Sequence, residues 1–472
     1  MTGTHQRRLQ HLLWRAGFGP SISDLKEYGN LSLPAVVDTL FRKSASPDFI
    51  TINPKFDVEA IHRKGLTMEE LRVIRNESIN GLKKLNLSWL LKMARSDKQL
   101  LEKMTLFWHG HFACVNHSYK HVELYLNTLH KHALGNFATM LKEVAKEPAM
   151  LTFLNNRQNR KQQPNENFAR ELLELFTLGI GNYSEKDIKE AARAFTGWSY
   201  SENGDFEVQE RFHDYEIKHF MGKSGNFGGE DIIDIILENK QTARFISEKV
   251  YVFLVSEEIN ERHIDQITDA FYDSSYEISV LLKEIFNSEW FYDDAIIGNR
   301  IKSPVELIVS FTRKFGITYE DPAPLLYIQR LLGQVLLQPP NVAGWNYGRN
   351  WIDSSSLLAR MQFAKFIVRG AVIDIKAKSD DSKEMEEVMQ MMEDINENRF
   401  RKVRAKLNIK DYMDRYAKLP RDKMTEEIEA YLLQCSLNSG AVKVLRETEQ
   451  NAQKLLEEYS LQVLSLPEYQ LC

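Results

Sequence analysis

Leu71-Arg72-Val73-Ile74-Arg75-Asn76-Glu77-Ser78-Ile79-Asn80-Gly81-Leu82-Lys83-Lys84-Leu85-Asn86-Leu87-Ser88-Trp89-Leu90-Leu91 repeats apolar side chains every three to four positions. That spacing lays one stripe along a single face of an α-helix. The same period recurs along most of the chain, so the fold class expected is mainly α, a multi-helix globular body. Helices are expected over about 5–16, 33–43, 68–95, 97–113, 119–134, 164–178, 184–196, 240–255, 303–316 and 351–371. One region departs from the pattern. Between Trp198 and Phe227 the chain turns Gly-rich and alternating, with Asn203-Gly204 beside the short runs Phe206-Glu207-Val208 and Ile217-Lys218-His219-Phe220. A small β-hairpin insertion near 198–227 is expected there. The charged segment Lys376 to Asp394 reads as a solvated helix and a boundary. The chain is accordingly divided into a helical core domain, 1–375, carrying the β insertion, and a smaller C-terminal helical part, 376–472, packed on it.

With 472 residues, 43% of them hydrophobic and 27% charged, the chain has the composition of a globular protein with a sizeable core. Its net charge of −5, with both signs interspersed, gives no global basic surface, which argues against a nucleic-acid partner. Cys114, Cys435 and Cys472 are odd in number and far apart, so neither a disulfide framework nor a cysteine zinc cluster is expected. Met1-Thr2-Gly3-Thr4-His5-Gln6-Arg7-Arg8 runs into an amphipathic helix without an apolar leader, and no window reaches a transmembrane length. A cytoplasmic protein is expected from the chain as it stands, or a periplasmic or exported one if a leader was removed.

The first candidate site is Phe107-Trp108-His109-Gly110-His111-Phe112. Two imidazoles in an aromatic run suggest metal ligands or acid/base groups, and His109 and His111 are assigned as ligands of a divalent metal. On an unbroken helix they would point about 200° apart, so convergence requires the helix to end near Gly110. The alternative is one core histidine and one facing solvent. The second is Pro164 to Gly179, where Glu166, Arg170 and Glu174 recur at four-residue intervals with Glu171 beside them, behind an Asn165 cap and before a Gly179 stop. Glu171 and Glu174 are candidate catalytic carboxylates and Arg170 a substrate contact; the alternative is a solvated face of Glu–Arg pairs. Arg193 is expected to neutralise Glu171 or Glu174. The third is His213-Asp214 with Lys218 in the hairpin, completing the site from a lid or lying on an exposed edge. The fourth is the loop Gln338 to Trp351, whose Trp345 and Trp351 suit stacking on a substrate or plugging the loop onto the core.

His11-Leu12-Leu13-Trp14-Arg15-Ala16-Gly17-Phe18-Gly19, Phe107 to Phe112, Asn165 to Gly179, Ala192-Arg193-Ala194-Phe195-Thr196-Gly197-Trp198, His213-Asp214 with Lys218, Gly333-Gln334 and Pro339-Pro340-Asn341-Val342-Ala343-Gly344-Trp345 together resemble the bacterial family catalogued as domain of unknown function 1800. The ending Ser465-Leu466-Pro467-Glu468-Tyr469-Gln470 resembles its usual close. The resemblance implies no settled activity. It implies frequent export and a genomic setting beside sulfatase- or phosphatase-like proteins, hence such a partner protein and a small-molecule or glycan substrate.

Two functions follow as expectations. One is a metal-dependent hydrolase of a polar or glycan-like substrate, with His109 and His111 holding the metal, Glu171 or Glu174 as ligand or base, and His213 and Asp214 completing the site. The other is a non-enzymatic binding or assembly protein whose buried His/Glu/Arg network fixes the helical body. A third option is a metal-free acid/base pair of Glu166 and Glu174.

Overall fold

Helices begin where a Ser, Thr or Asp can take the first free amides: Ser21, Thr67, Ser184, Ser303 and Asp353 all form capping boxes. In the structure, a computed structural model describing residues 3–52, 66–370, 403–437 and 452–472, 62% of the described residues are helical and the strands among them form three two-stranded pairs. The mainly α class expected from periodicity is what is found. Thr67 starts the helix Met68–Arg95, whose second half buries Leu82, Leu85, Trp89, Leu90 and Met93 while Leu71 and Val73 stay exposed. That buried half packs on Gln99–His111, Tyr119–His132 and Pro304–Lys314. Gln99–His111 lies at the centre and is buried from Gln99 through His109, so even its Glu102 and Lys103 must find partners inside.

Further helices fill the connections that periodicity leaves blank: Ile22–Tyr28, Phe137–Lys146, Pro148–Phe153, Gly229–Glu238, Glu261–Asp273, Ile278–Asn287 and Pro324–Leu332. The β insertion is two hairpins. Trp198–Tyr200 pairs antiparallel with Phe206–Val208, and Lys218–Phe220 with Lys223–Gly225. A third pair, Thr318–Tyr319 with Ala405–Lys406, ties the body to the C-terminal elements.

Those elements, Lys410–Tyr416, Arg421–Leu432 and Ala452–Leu464, share one hydrophobic core with the body. Tyr412 meets Phe315 edge-on at 5.6 Å, and Gln10 donates to the Ala430 carbonyl at 2.9 Å. The charged stretch Lys376 to Asp394, expected as a solvated helix, lies outside the described residues. No helix among the described residues is long and apolar enough to cross a membrane.

Candidate functional site

The helix Gln99–His111 does not break at Gly110; its last amide bond runs from Phe112 to the Trp108 carbonyl. The two histidines therefore leave opposite sides. His109 is 0% exposed and stacks on Trp345 at 5.2 Å, with Trp89 edge-on at 5.1 Å, and neither ring nitrogen finds a hydrogen-bond partner among the described residues. His111, 7% exposed, donates from Nε2 to the Phe176 carbonyl at 3.1 Å within a cage of Phe107, Trp108, Phe112 and Phe245. Burial pushes both imidazoles down to about 3, reinforced at His111 by Lys249 and opposed there by the Phe176 carbonyl. Both are neutral core side chains that share no neighbour acting as a ligand. The assigned convergence of His109 and His111 on one metal is thus corrected by the unbroken helix.

Gly110 has a different use. Gly344, at φ +80°, brings the loop after Pro340 down onto the helix so closely that a Cβ there would lie 2.3 Å from the Gly110 carbonyl oxygen. The contact seats Trp345 on His109. Trp345 and Trp351 are 7% and 8% exposed, so the loop plugs the core, and neither indole offers a face to a substrate.

Two carboxylates of the second segment, Glu166 and Glu174, have partners of their own. The segment is a short α-helix, Asn167–Glu171, continuing into a π-helical turn, Leu172–Thr177, in which the Leu178 and Gly179 amides both reach the Leu173 carbonyl. Asn165 accepts from the Asn167 amide at 3.0 Å, and Gly179 at φ +80° ends the run as expected. Glu174 accepts from Tyr183 at 2.8 Å, and Glu171 is half-buried, its carboxyl pushed up by burial and by Glu174. Arg170 turns to Glu185 at 2.9 Å and Glu166 at 3.2 Å. These are surface pairs of the kind that fix a helix.

Arg193 does not reach Glu171 or Glu174. Its Nε donates to Asp214 at 2.7 Å and its guanidinium also pairs with Glu190 at 3.0 Å and bonds the Ile217 carbonyl. Burial would raise the Asp214 carboxyl, but Arg193 and the Glu216 amide outweigh it and hold it low. Lys218 is 0% exposed, donates to the Asp214 carbonyl, and is pushed down by burial. His213 donates from Nδ1 to the Thr196 carbonyl at 2.7 Å. The hairpin is pinned by these bonds to the helix Glu185–Ala194 and the turn after it, which makes His213, Asp214 and Lys218 its anchor.

Two features escape a reading of motifs. One is a buried network on the central helix: Glu102 accepts from Trp89 at 3.2 Å and pairs with His130 at 3.1 Å and Lys92 at 2.8 Å. Burial would raise Glu102, but His130 and Lys92 hold it low. The other is a cleft of about 420 Å³ beside the first hairpin, walled by Arg157, Arg160, Arg211 and Phe212 together with Thr152, Asn155, Gln158, Ser199 and Gln209. Its signal in the sequence is the run Asn155 to Gln163, nine residues of Asn, Gln, Arg and Lys without one aliphatic side chain. Among the described residues, no three His, Cys, Asp or Glu side chains form a group suited to a metal ion.

A family model described as "Protein of unknown function (DUF1800)" matches residues 11–471. No curated protein and no solved structure matches the chain.

Proposed function

The chain belongs to the DUF1800 family, proteins of unknown function, over nearly its whole length, and we propose that it works as a non-enzymatic binding or assembly protein. In this reading the His/Glu/Arg network fixes a helical body that presents the hairpin side to a ligand. The observation carrying it is the fate of the two histidines, each neutral, buried and used as an aromatic-sized packing group on opposite sides of one helix. A metal-dependent hydrolase needs ligands that converge with an open position for water. The polar side chains that looked catalytic instead have structural partners: Glu174 with Tyr183, Asp214 with Arg193, His213 with Thr196.

Two substitutions separate the roles. Because both His109 nitrogens lack partners, a ring of similar size without them keeps the packing. We expect His109→Phe to melt within about 1.5 kcal/mol of wild type and His109→Ala to lose about 2 to 4 kcal/mol through the cavity it leaves. Elemental analysis accompanies the melts. Near-stoichiometric metal in the wild type that both variants lose would overturn the proposal.

A further inference from the structure

Arg157, Arg160 and Arg211 stand together in the cleft beside the first hairpin, and no carboxylate among the described residues pairs with any of them. Five other arginines each hold a carboxylate: Arg170 with Glu185, Arg193 with Asp214, Arg244 with Asp265, Arg313 with Asp24, Arg369 with Glu458. In a chain of net charge −5, three guanidiniums without a carboxylate in one concavity make a local positive patch. They are also held in place. Arg160 and Arg211 both lie over Phe212, their guanidinium carbons 4.2 and 4.4 Å from its ring centre, and Arg157 lies 4.3 Å over Tyr200 while donating to its hydroxyl at 3.1 Å.

The backbone beneath is fixed by a buried residue, Asn159. Its side chain donates to the Ala192 carbonyl at 2.8 Å and accepts from the Asn165 amide at 2.9 Å, and its carbonyl accepts from Gly197 at 2.9 Å. The Lys161 amide then bonds the Phe212 carbonyl at 2.9 Å, joining the loop to the arginine-bearing turn. Like charges brought together on a rigid frame remain costly until an anion arrives, and guanidinium forks favour oxyanions.

We propose that this cleft binds an acidic saccharide, its sulfate, phosphate or carboxylate groups on the three arginines and its ring hydroxyls on Asn155, Gln158 and Thr152. This rests on the binding-protein reading above and names its ligand class. The volume falls within the roughly 300 to 1,000 Å³ of small-ligand sites, more than a bare oxyanion needs. Apart from Phe212, the uncharged remainder of the lining is amide and hydroxyl, groups that both donate to and accept from sugar hydroxyls. Single-stranded nucleic acid is a poorer match, because the aromatic faces it would stack on are already covered by guanidinium.

The test titrates the full chain with four probes: a dextran sulfate oligosaccharide, the same dextran unsulfated, inorganic sulfate, and a single-stranded DNA oligonucleotide of equal charge. The wild type should bind the sulfated sugar in a salt-sensitive manner and the other three at least about tenfold more weakly. Arg160→Gln/Arg211→Gln should weaken binding of the sulfated sugar by about tenfold or more with an unchanged melting temperature. Should the double variant melt low, Arg211→Gln alone carries the same test. The proposal is overturned if the wild type ignores the sulfated sugar, if the well-folded variant binds it equally, or if dextran, sulfate or DNA binds as tightly. None of these outcomes alters the reading of the His109 variants, so the two proposals fail separately.

Discussion

Burial holds His109 and His111 at about 3, so both imidazoles are uncharged near neutral pH. The same force acts in the opposite direction on Glu147, whose carboxyl is pushed up to about 7, chiefly by burial and further by Glu143, against a hydrogen bond from Thr128. Its folded value lies above the ordinary 4.5, so its contribution to stability is fully present below pH 4.5 and is lost as pH rises through 7. Glu147→Gln keeps an acceptor for Thr128 and removes that titration. Urea melts should therefore show the variant gaining on wild type between pH 4.5 and pH 8, by at most about 3 kcal/mol. An equal stability difference at both pH values would show that Glu147 ionises freely in the folded protein.

At the scale of elements, the central helix shows tertiary packing overruling a local preference. A glycine costs a helix interior about 1 kcal/mol, yet the helix runs through Gly110 to His111. A methyl group at Gly110 would meet nothing nearer than Trp345 at 4.0 Å, whereas at Gly344 it would strike the Gly110 carbonyl from a left-handed backbone. Gly110→Ala should thus melt at or slightly above wild type, by up to about 1 kcal/mol. Gly344→Ala should lose at least about 2 kcal/mol and expose Trp345, visible in its fluorescence. Similar losses from both would mean the loop does not seat as described. Well-capped helices such as Met68–Arg95 and Glu185–Ala194 were legible because period and caps agree. Short ones such as Pro148–Phe153 were not, since six residues barely complete a period. The 200° separation of His109 and His111 followed from helix geometry alone, but whether the helix continued depended on a loop more than 200 residues away. The arginine cleft was hidden for a related reason: Arg157 and Arg160 meet Arg211 only through the hairpin's return.

Across the whole molecule, distant segments meet around one buried carboxylate. Glu306 pairs with Lys103 of the central helix while Arg300 lies near, and its side chain also caps its own helix through the Ser303 amide at 2.7 Å. Lys302 sits 4.2 Å over Trp14 and 3.8 Å over Tyr469, and Lys314 lies 3.9 Å over Tyr431 and donates to its carbonyl at 3.1 Å. Arg360 donates to the Lys302 carbonyl at 3.0 Å. The N-terminal helix, the central helix, Pro304–Lys314 and the C-terminal elements are thereby joined through charges that cannot reach water. Burial pushes Lys302 down to about 7 and would raise Glu306, but Lys103 and Arg300 overcome it and hold Glu306 at about 2. A depressed carboxylate contributes stability above its ordinary 4.5 and loses it as pH falls toward 2. Glu306→Gln keeps the cap but strands Lys103 in an apolar interior, a loss of about 3 to 5 kcal/mol near neutral pH. Adding Lys103→Met removes the stranded charge and should recover much of that loss, since replacing both partners of a buried pair is often nearly neutral. Denaturant melts of the single and double variants at pH 7 and pH 3 check both parts. A double variant no more stable than the single one would mean that Glu306 answers to Arg300 and the lysines beyond, and that Lys103 is a bystander to the joint.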